Sequence, residues 1–177
     1  MRTVRTVANL LYYLCRMAAI LYIITDIYSL VVVLFSLNGP ASWVPMEILE
    51  NGSFQIFYPF TRTPFLLGDY TSLFIVMMIF ILTFYGVFLW LLSGVFNTFR
   101  QKKLFTQKSV LRLSRFYITN LTVPVASLII AMLFYSDGVS DMLVIALLHI
   151  VIGIFAFFMA AIFRQGLVLQ EEQDLTL

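Results

Sequence analysis

Cysteine, histidine and charge are what this 177-residue chain has least of: one Cys, one His, and only 11% Asp, Glu, Lys and Arg combined. A lone cysteine excludes a disulfide-stapled secreted domain. It also excludes a thiol-oxidising membrane enzyme, which works through paired redox cysteines. A single histidine without an H-E-x-x-H motif excludes a membrane metalloprotease of that type, and there is neither a P-loop nor a G-x-S-x-G nucleophile elbow. A Ser29–His149–Asp26 triad can be drawn, but residues 26 and 29 stand on adjacent faces of one helix, a poor geometry for it. The chain is therefore read as not an enzyme, with no catalytic residue, metal site or cofactor. Soluble domains average roughly 25% charged and about 45–50% apolar residues. Here the apolar share is 62% and the aromatic share 16%, which excludes a disordered or collagenous chain. A soluble core of this size cannot bury that much apolar surface, so the solvent is a bilayer.

What is present is four long apolar blocks. A hydrocarbon core of ~30 Å takes about 20 residues of helix, and blocks of that length occur at about 16–37 (with a helix-prone lead from Val4), 71–97, 116–135 and 142–163. Pro124 lies inside the third and removes one backbone donor, with a kink expected there. The fold class is an all-α membrane protein, a four-transmembrane-helix bundle in a single integral membrane domain, residues 1–177. Ten of the eleven Lys and Arg lie in the N-terminus (Arg2, Arg5, Arg16), the 98–115 loop (Arg100, Lys102, Lys103, Lys108, Arg112, Arg115) or at Arg164. The other side holds Arg62 beside Glu47, Glu50, Asp69, Asp137 and Asp141. The positive-inside rule then puts both termini in the cytoplasm of a multi-pass protein. Tyr70 and Tyr135 at outer ends, and Tyr12, Tyr13 and Tyr117 at inner ends, suit interfacial belts. Arg16 interrupts the first apolar stretch and no A-x-A site follows it, so the first helix is expected to stay uncleaved. Its guanidinium is expected to snorkel to the inner headgroups.

The outer loop, 38–70, carries four of the five prolines (Pro40, Pro45, Pro59, Pro64) with Gly39, Gly52 and Gly68, which forbids a long helix. Asn51-Gly52 between two apolar-bearing runs predicts a type I′ hairpin, hence a small strand-like cap. Asn51-Gly52-Ser53 also fits a glycosylation sequon, though a plain turn is the simpler reading. Phe54, Phe57, Tyr58, Phe60 and Phe65 are placed against headgroups or helix ends. In the basic loop, Thr106 is the expected N-cap of a helix from Gln107 that runs into the third span. Lys108, Arg112 and Arg115 fall on one stripe of that helix, and Val110, Leu113 and Tyr117 on another face. The stripe is read as resting on anionic headgroups, each charge worth ~1 kcal/mol, ahead of docking a protein. So small a patch without aromatic platforms does not suit nucleic acid.

Ionisable groups within spans are site candidates by default. Asp26 lies near the middle of the first span and His149 about seven residues into the fourth, depths differing by only ~5–6 Å at 1.5 Å per residue. Asn120 offers a further polar group in the third span. The preferred reading is a buried hydrogen bond tying helices one and four together; the functional alternative is a protonation site. Gly153, Ala156 and Ala160 supply small residues for close helix packing.

The end of the chain, Ile162-Phe163-Arg164-Gln165-Gly166-Leu167-Val168-Leu169-Gln170-Glu171-Glu172-Gln173-Asp174-Leu175-Thr176-Leu177, resembles the terminal signature of a bacterial membrane family, domain of unknown function 2975. Leu104-Phe105-Thr106 followed by Ser109-Val110-Leu111-Arg112-Leu113 is similar to the family's basic-loop segment, with Ser109 where Asn is commoner. The resemblance implies a small bacterial inner-membrane protein without an assigned activity, often encoded beside a helix-turn-helix regulator. Membrane sequestration of such a transcriptional regulator is the partner it suggests, by association rather than mechanism. Glu171, Glu172 and Asp174 in the tail face the same compartment as the basic loop. Arg112 or Arg115 pairing with Glu171 or Glu172 would lock the tail beneath the bundle; the same surface would otherwise dock a soluble protein. Gly166 permits either a turn or a close helix approach just past Arg164.

The leading expectation is a non-enzymatic regulatory or interaction protein in the bacterial cytoplasmic membrane. Its partners are the bilayer, a cytoplasmic regulator and, in a homo-oligomer, further copies of itself. The alternative is a small proton-coupled exporter using Asp26 as its coupling carboxylate. A structural role by topological analogy with claudins lacks the cysteines of that group.

Overall fold

The computed structural model describes residues 2–38, 44–134 and 139–175. Gly39, Pro40, Tyr135, Asp137 and the Thr176-Leu177 end, all used in the expectations above, lie outside the described residues, as does the side chain of Asp174. The element order is α1 (Arg2–Asn38), β1 (Met46–Ile48), β2 (Ser53–Phe57), β3 (Pro64–Asp69), α2 (Ser72–Arg100), α3 (Gln107–Phe134) and α4 (Val139–Leu175). All four helices are long and apolar enough to cross a membrane, and only 17% to 22% of each apolar window is buried. Leu10, Met17, Leu21 and Ile24 along α1, and Val144, Leu148, Phe155 and Ile162 along α4, are exposed. Apolar surface of that extent on a monomer is stable against lipid tails and not against water.

Helix starts follow local chemistry. The Phe74 N–H donates to the Thr71 hydroxyl at 3.2 Å, capping α2. At α3 the expected cap forms: the Ser109 N–H donates to Thr106 Oγ1 at 3.1 Å, and the helix runs from Gln107 straight into the span. Asp141 sits in the first turn of α4, where a negative charge favours the helix dipole. Two helices are longer than the apolar blocks. The lead before residue 16 and the first span form one helix, Arg2–Asn38. Of the two readings of Gly166, a turn or a close approach, the turn does not form, because α4 continues to Leu175.

Between α1 and α2 lies a three-stranded antiparallel sheet in the order β1-β2-β3. Met46, Glu47 and Ile48 oppose Ile56, Gln55 and Phe54. On the other edge Ser53 opposes Asp69 and Ile56 opposes Leu66, with a register shift between Ile56 and Phe57. The Asn51-Gly52 hairpin forms with a different turn from the one expected. The Gly52 N–H donates to the Leu49 carbonyl at 3.0 Å, and the Leu49 N–H to the Ser53 carbonyl at 2.8 Å. Gly52 has φ +80°, whereas Asn51 is not left-handed. This is a three-residue loop with one left-handed glycine, which leaves Asn51 in ordinary backbone space. Its side chain accepts from the Ser53 N–H at 3.1 Å and from the Ser53 hydroxyl at 2.6 Å. The second connection puts Phe60 at φ 63°, fully exposed.

Contacts divide the chain into two compact units, residues 17–87 and residues 1–16 with 88–177. In the first, the alternation of β2 buries Phe54 and Ile56 against Val32 and Val33 of α1, with Tyr28, Phe65, Tyr70 and Ile75 around them. The Tyr28 hydroxyl donates to the Phe57 carbonyl at 2.8 Å, joining α1 to the sheet. The second has its core at Val95, Val110, Leu113, Phe116, Ala156, Ala160 and Phe163. Val110 and Leu113 thus occupy the buried face read from their spacing. The small residues of α4 serve internal packing: a Cβ on Gly153 would lie 2.8–2.9 Å from Leu121 of α3.

Candidate functional site

Three groupings of polar side chains among the described residues bear on function. In residues 17–87, Asp26 Oδ2 accepts a hydrogen bond from the Thr83 hydroxyl at 2.7 Å. Thr83 also donates to the Ile79 carbonyl at 2.9 Å, so its single proton is shared between the two acceptors. Asp26 Oδ1 is buried and has no hydrogen-bond partner among the described residues.

The second place is inside α3 and α4. Asn120 and His149, both completely or almost completely buried, are 2.8 Å apart through Asn120 Oδ1 and His149 Nδ1. Asn120 Nδ2 donates to the Phe116 carbonyl at 2.8 Å. Its Oδ1 is therefore the acceptor, and the proton of the imidazole pair sits on Nδ1. Pro124 stands four residues on and has no N–H for the Asn120 carbonyl, so helix irregularity and interhelical bond coincide. Phe88 meets the imidazole edge-on at 5.2 Å. Within its own unit each candidate has a hydrogen bond to the neighbouring helix in sequence, Asp26 to Thr83 of α2 and His149 to Asn120 of α3.

The third place is a cavity of about 250 Å³ lined by Tyr12, Arg16, Trp90, Leu91, Ser93, Gly94, Asn97, Arg112 and Arg115. Arg16, expected to reach the inner headgroups, is part-buried and leans on α2. Its guanidinium lies over the Trp90 ring, 3.1 Å from the centroid, and Nη1 donates to the Ser93 hydroxyl at 3.3 Å. Stacking on indole fixes the direction of this part-buried cation and stabilises it. Beside it Arg100 stacks on Tyr12 at 4.1 Å and Tyr13 at 5.0 Å. Of the predicted basic stripe, Arg112 and Arg115 line this cavity, and Arg112 Nη1 is buried without a hydrogen-bond partner among the described residues. Lys108 is exposed.

In the tail Arg164, Glu171 and Glu172 are exposed along α4. Gly166 serves close approach: a Cβ there would lie 2.6–2.8 Å from the Phe105 ring. Phe105 and Phe99 each pack edge-on against Phe163, at 5.3 and 5.7 Å. The tail motif and the basic-loop motif thus meet through aromatic packing at the Gly166–Phe105 contact. Sequence reasoning missed Thr83, Trp90, Ser93 and Asn97. The available signal was modest: a tryptophan and two polar residues within eight positions near the basic end of the second span.

Compared with known proteins, residues 1–177 match the family described as "Protein of unknown function (DUF2975)". No curated protein and no solved structure matches the chain.

Proposed function

The chain belongs to the DUF2975 family of proteins of unknown function, and from its own geometry we propose that it is a non-enzymatic interaction protein of the bacterial cytoplasmic membrane that docks a soluble regulatory protein. The observation that carries this reading is the continuity of α4, Val139–Leu175, 37 residues. About 20 residues cross the hydrocarbon, which leaves ~17 residues, or ~25 Å of helix, beyond it. Arg164, Val168 and Glu172 follow at i, i+4 and i+8 on that projecting stretch. Val168 and Leu169 are half-exposed or more between the charges. Exposed ion pairs alone contribute only ~0–1 kcal/mol each, so an apolar anchor flanked by charges is the arrangement that holds a partner helix. The Lys and Arg distribution supports a cytoplasmic position for this stretch, and a helix-turn-helix regulator is the partner proposed.

Photo-crosslinking residues at 168 and 169 in native membranes test this reading. It predicts that one soluble protein is captured from both positions, is not captured from the lipid-facing position 155, and is lost when Glu172→Lys is added. Capture of nothing soluble at 168 and 169 would overturn it.

A second reading is favoured by one observation, the buried Asp26 Oδ1 without a hydrogen-bond partner among the described residues. A carboxylate so placed within a span is suited to exchange a proton in coupled export. Proton-driven flux in proteoliposomes that disappears in Asp26→Asn would support it, and equal flux in the variant would remove it.

A further inference from the structure

We infer that the arginine-lined cavity is a binding site for a phosphate oxyanion, carried either on a phospholipid headgroup or free in solution. Three guanidinium-bearing residues, Arg16, Arg112 and Arg115, line one cavity of about 250 Å³, and no carboxylate is among its lining residues. Like charges held this close repel, and an anion between them converts the repulsion into attraction. Arg112 adds a specific sign: its Nη1 is buried and has no hydrogen-bond partner among the described residues. A buried charged donor left unpaired is costly, and its natural complement is an oxygen-rich anion, which a guanidinium fork matches in geometry.

The rest of the lining fits the same ligand. Arg16 is already held by the Trp90 face and the Ser93 hydroxyl, so its charge is oriented before the ligand arrives. Asn97 and Tyr12, both able to donate a hydrogen bond, are also among the lining residues. Depth points to the source. A hydrocarbon crossing takes ~20 residues of helix. From Ser72 along α2 the same count ends near residue 92, and from Phe134 along α3 near residue 114. Ser93, Arg112 and Arg115 fall within two residues of those limits, a depth that suits a phosphate carried on a lipid headgroup. The exposed lysines of the basic loop lie farther out and are solvated. This site is separate from the projecting end of α4 and does not depend on what docks there.

Delipidated full-length protein in detergent, with Trp43→Phe so that Trp90 is the only tryptophan, provides the assay. Trp90 emission and native mass spectrometry are read against phosphatidylglycerol in one arm and inorganic phosphate in the other. The expected result is saturable binding with a Trp90 response, weakened about tenfold or more by Arg112→Gln, a loss matching one charge-assisted hydrogen bond. Arg115→Gln, at an exposed position where folding is undisturbed, weakens it in the same direction, and Lys103→Gln leaves it unchanged. Binding in the phosphatidylglycerol arm alone assigns the site to a lipid; binding of inorganic phosphate alone assigns it to a soluble anion. Binding in neither arm overturns the inference. Equal weakening by Lys103→Gln and the arginine variants also overturns it, because general surface charge then explains the attraction.

Discussion

Removing the Asn120–His149 bond measures what a buried polar contact contributes between two spans of this protein. Asn120→Leu, His149→Leu and the double variant form a cycle in which packing changes cancel to first order. Asn120→Leu alone takes the acceptor from the imidazole N–H, 2.8 Å away, in a site where both residues are almost wholly buried. Leaving such a donor unsatisfied costs ~1–3 kcal/mol. In a bilayer the unfolded reference also finds partners, and interhelical bonds of this kind average ~0.6 and reach ~1.7 kcal/mol. The expected coupling is ~0.6–1.7 kcal/mol, with the double variant less destabilised than the sum of the two singles. The local bond from Asn120 Nδ2 to the Phe116 carbonyl is lost in every Asn120 variant and drops out of the cycle. Reversible unfolding in bicelles by steric trapping gives the free energies. A coupling inside the ~0.3–0.5 kcal/mol scatter of independent sites would refute the view that this pair fastens α3 to α4.

Gly166→Ala puts a methyl into the Phe105 ring and is expected to cost ~1–3 kcal/mol as overpacking. The loss should appear as faster proteolysis of the tail and be largely restored by Phe105→Leu; an undisturbed tail would show that the contact is not needed. Gly52→Ala meets no atom within 4 Å but must adopt φ +80°, so strain alone predicts a loss of ~1–2 kcal/mol. Hydrogen exchange at Leu49 and Ser53 reads it. Arg16→Lys keeps the charge and removes the planar stack on Trp90, and should lower stability by ~0.5–2 kcal/mol with a shift in Trp90 emission. No emission change would place the guanidinium elsewhere.

The spans were legible because bilayer thickness imposes a length that a run of apolar residues must meet, whatever its neighbours. The cap at Thr106 and the hairpin at Gly52 were legible for a similar reason, since a hydroxyl acceptor and a left-handed backbone are local demands. Strand β3 was hidden: Pro64 opens it and Gly68 interrupts it, both of which blur the alternation that marks a strand. The partners of Asp26, His149 and Arg16 were hidden by distance along the chain. Thr83 is 57 residues from Asp26, and Ser93 is 77 from Arg16. Equal depth in the membrane narrows such pairings without deciding which helices adjoin. Gly166 admitted both a turn and a close approach, and only the position of the Phe105 ring selects between them.

The proposed orientation puts the basic loop and the projecting end of α4 together on the cytoplasmic side, and cysteine labelling in intact bacteria measures it. In a Cys15→Ser background, a membrane-impermeant maleimide should label Glu50→Cys from outside. Lys103→Cys and Glu172→Cys should react only after the cells are permeabilised. Labelling of position 103 or 172 in intact cells would contradict the orientation and, with it, the cytoplasmic partner.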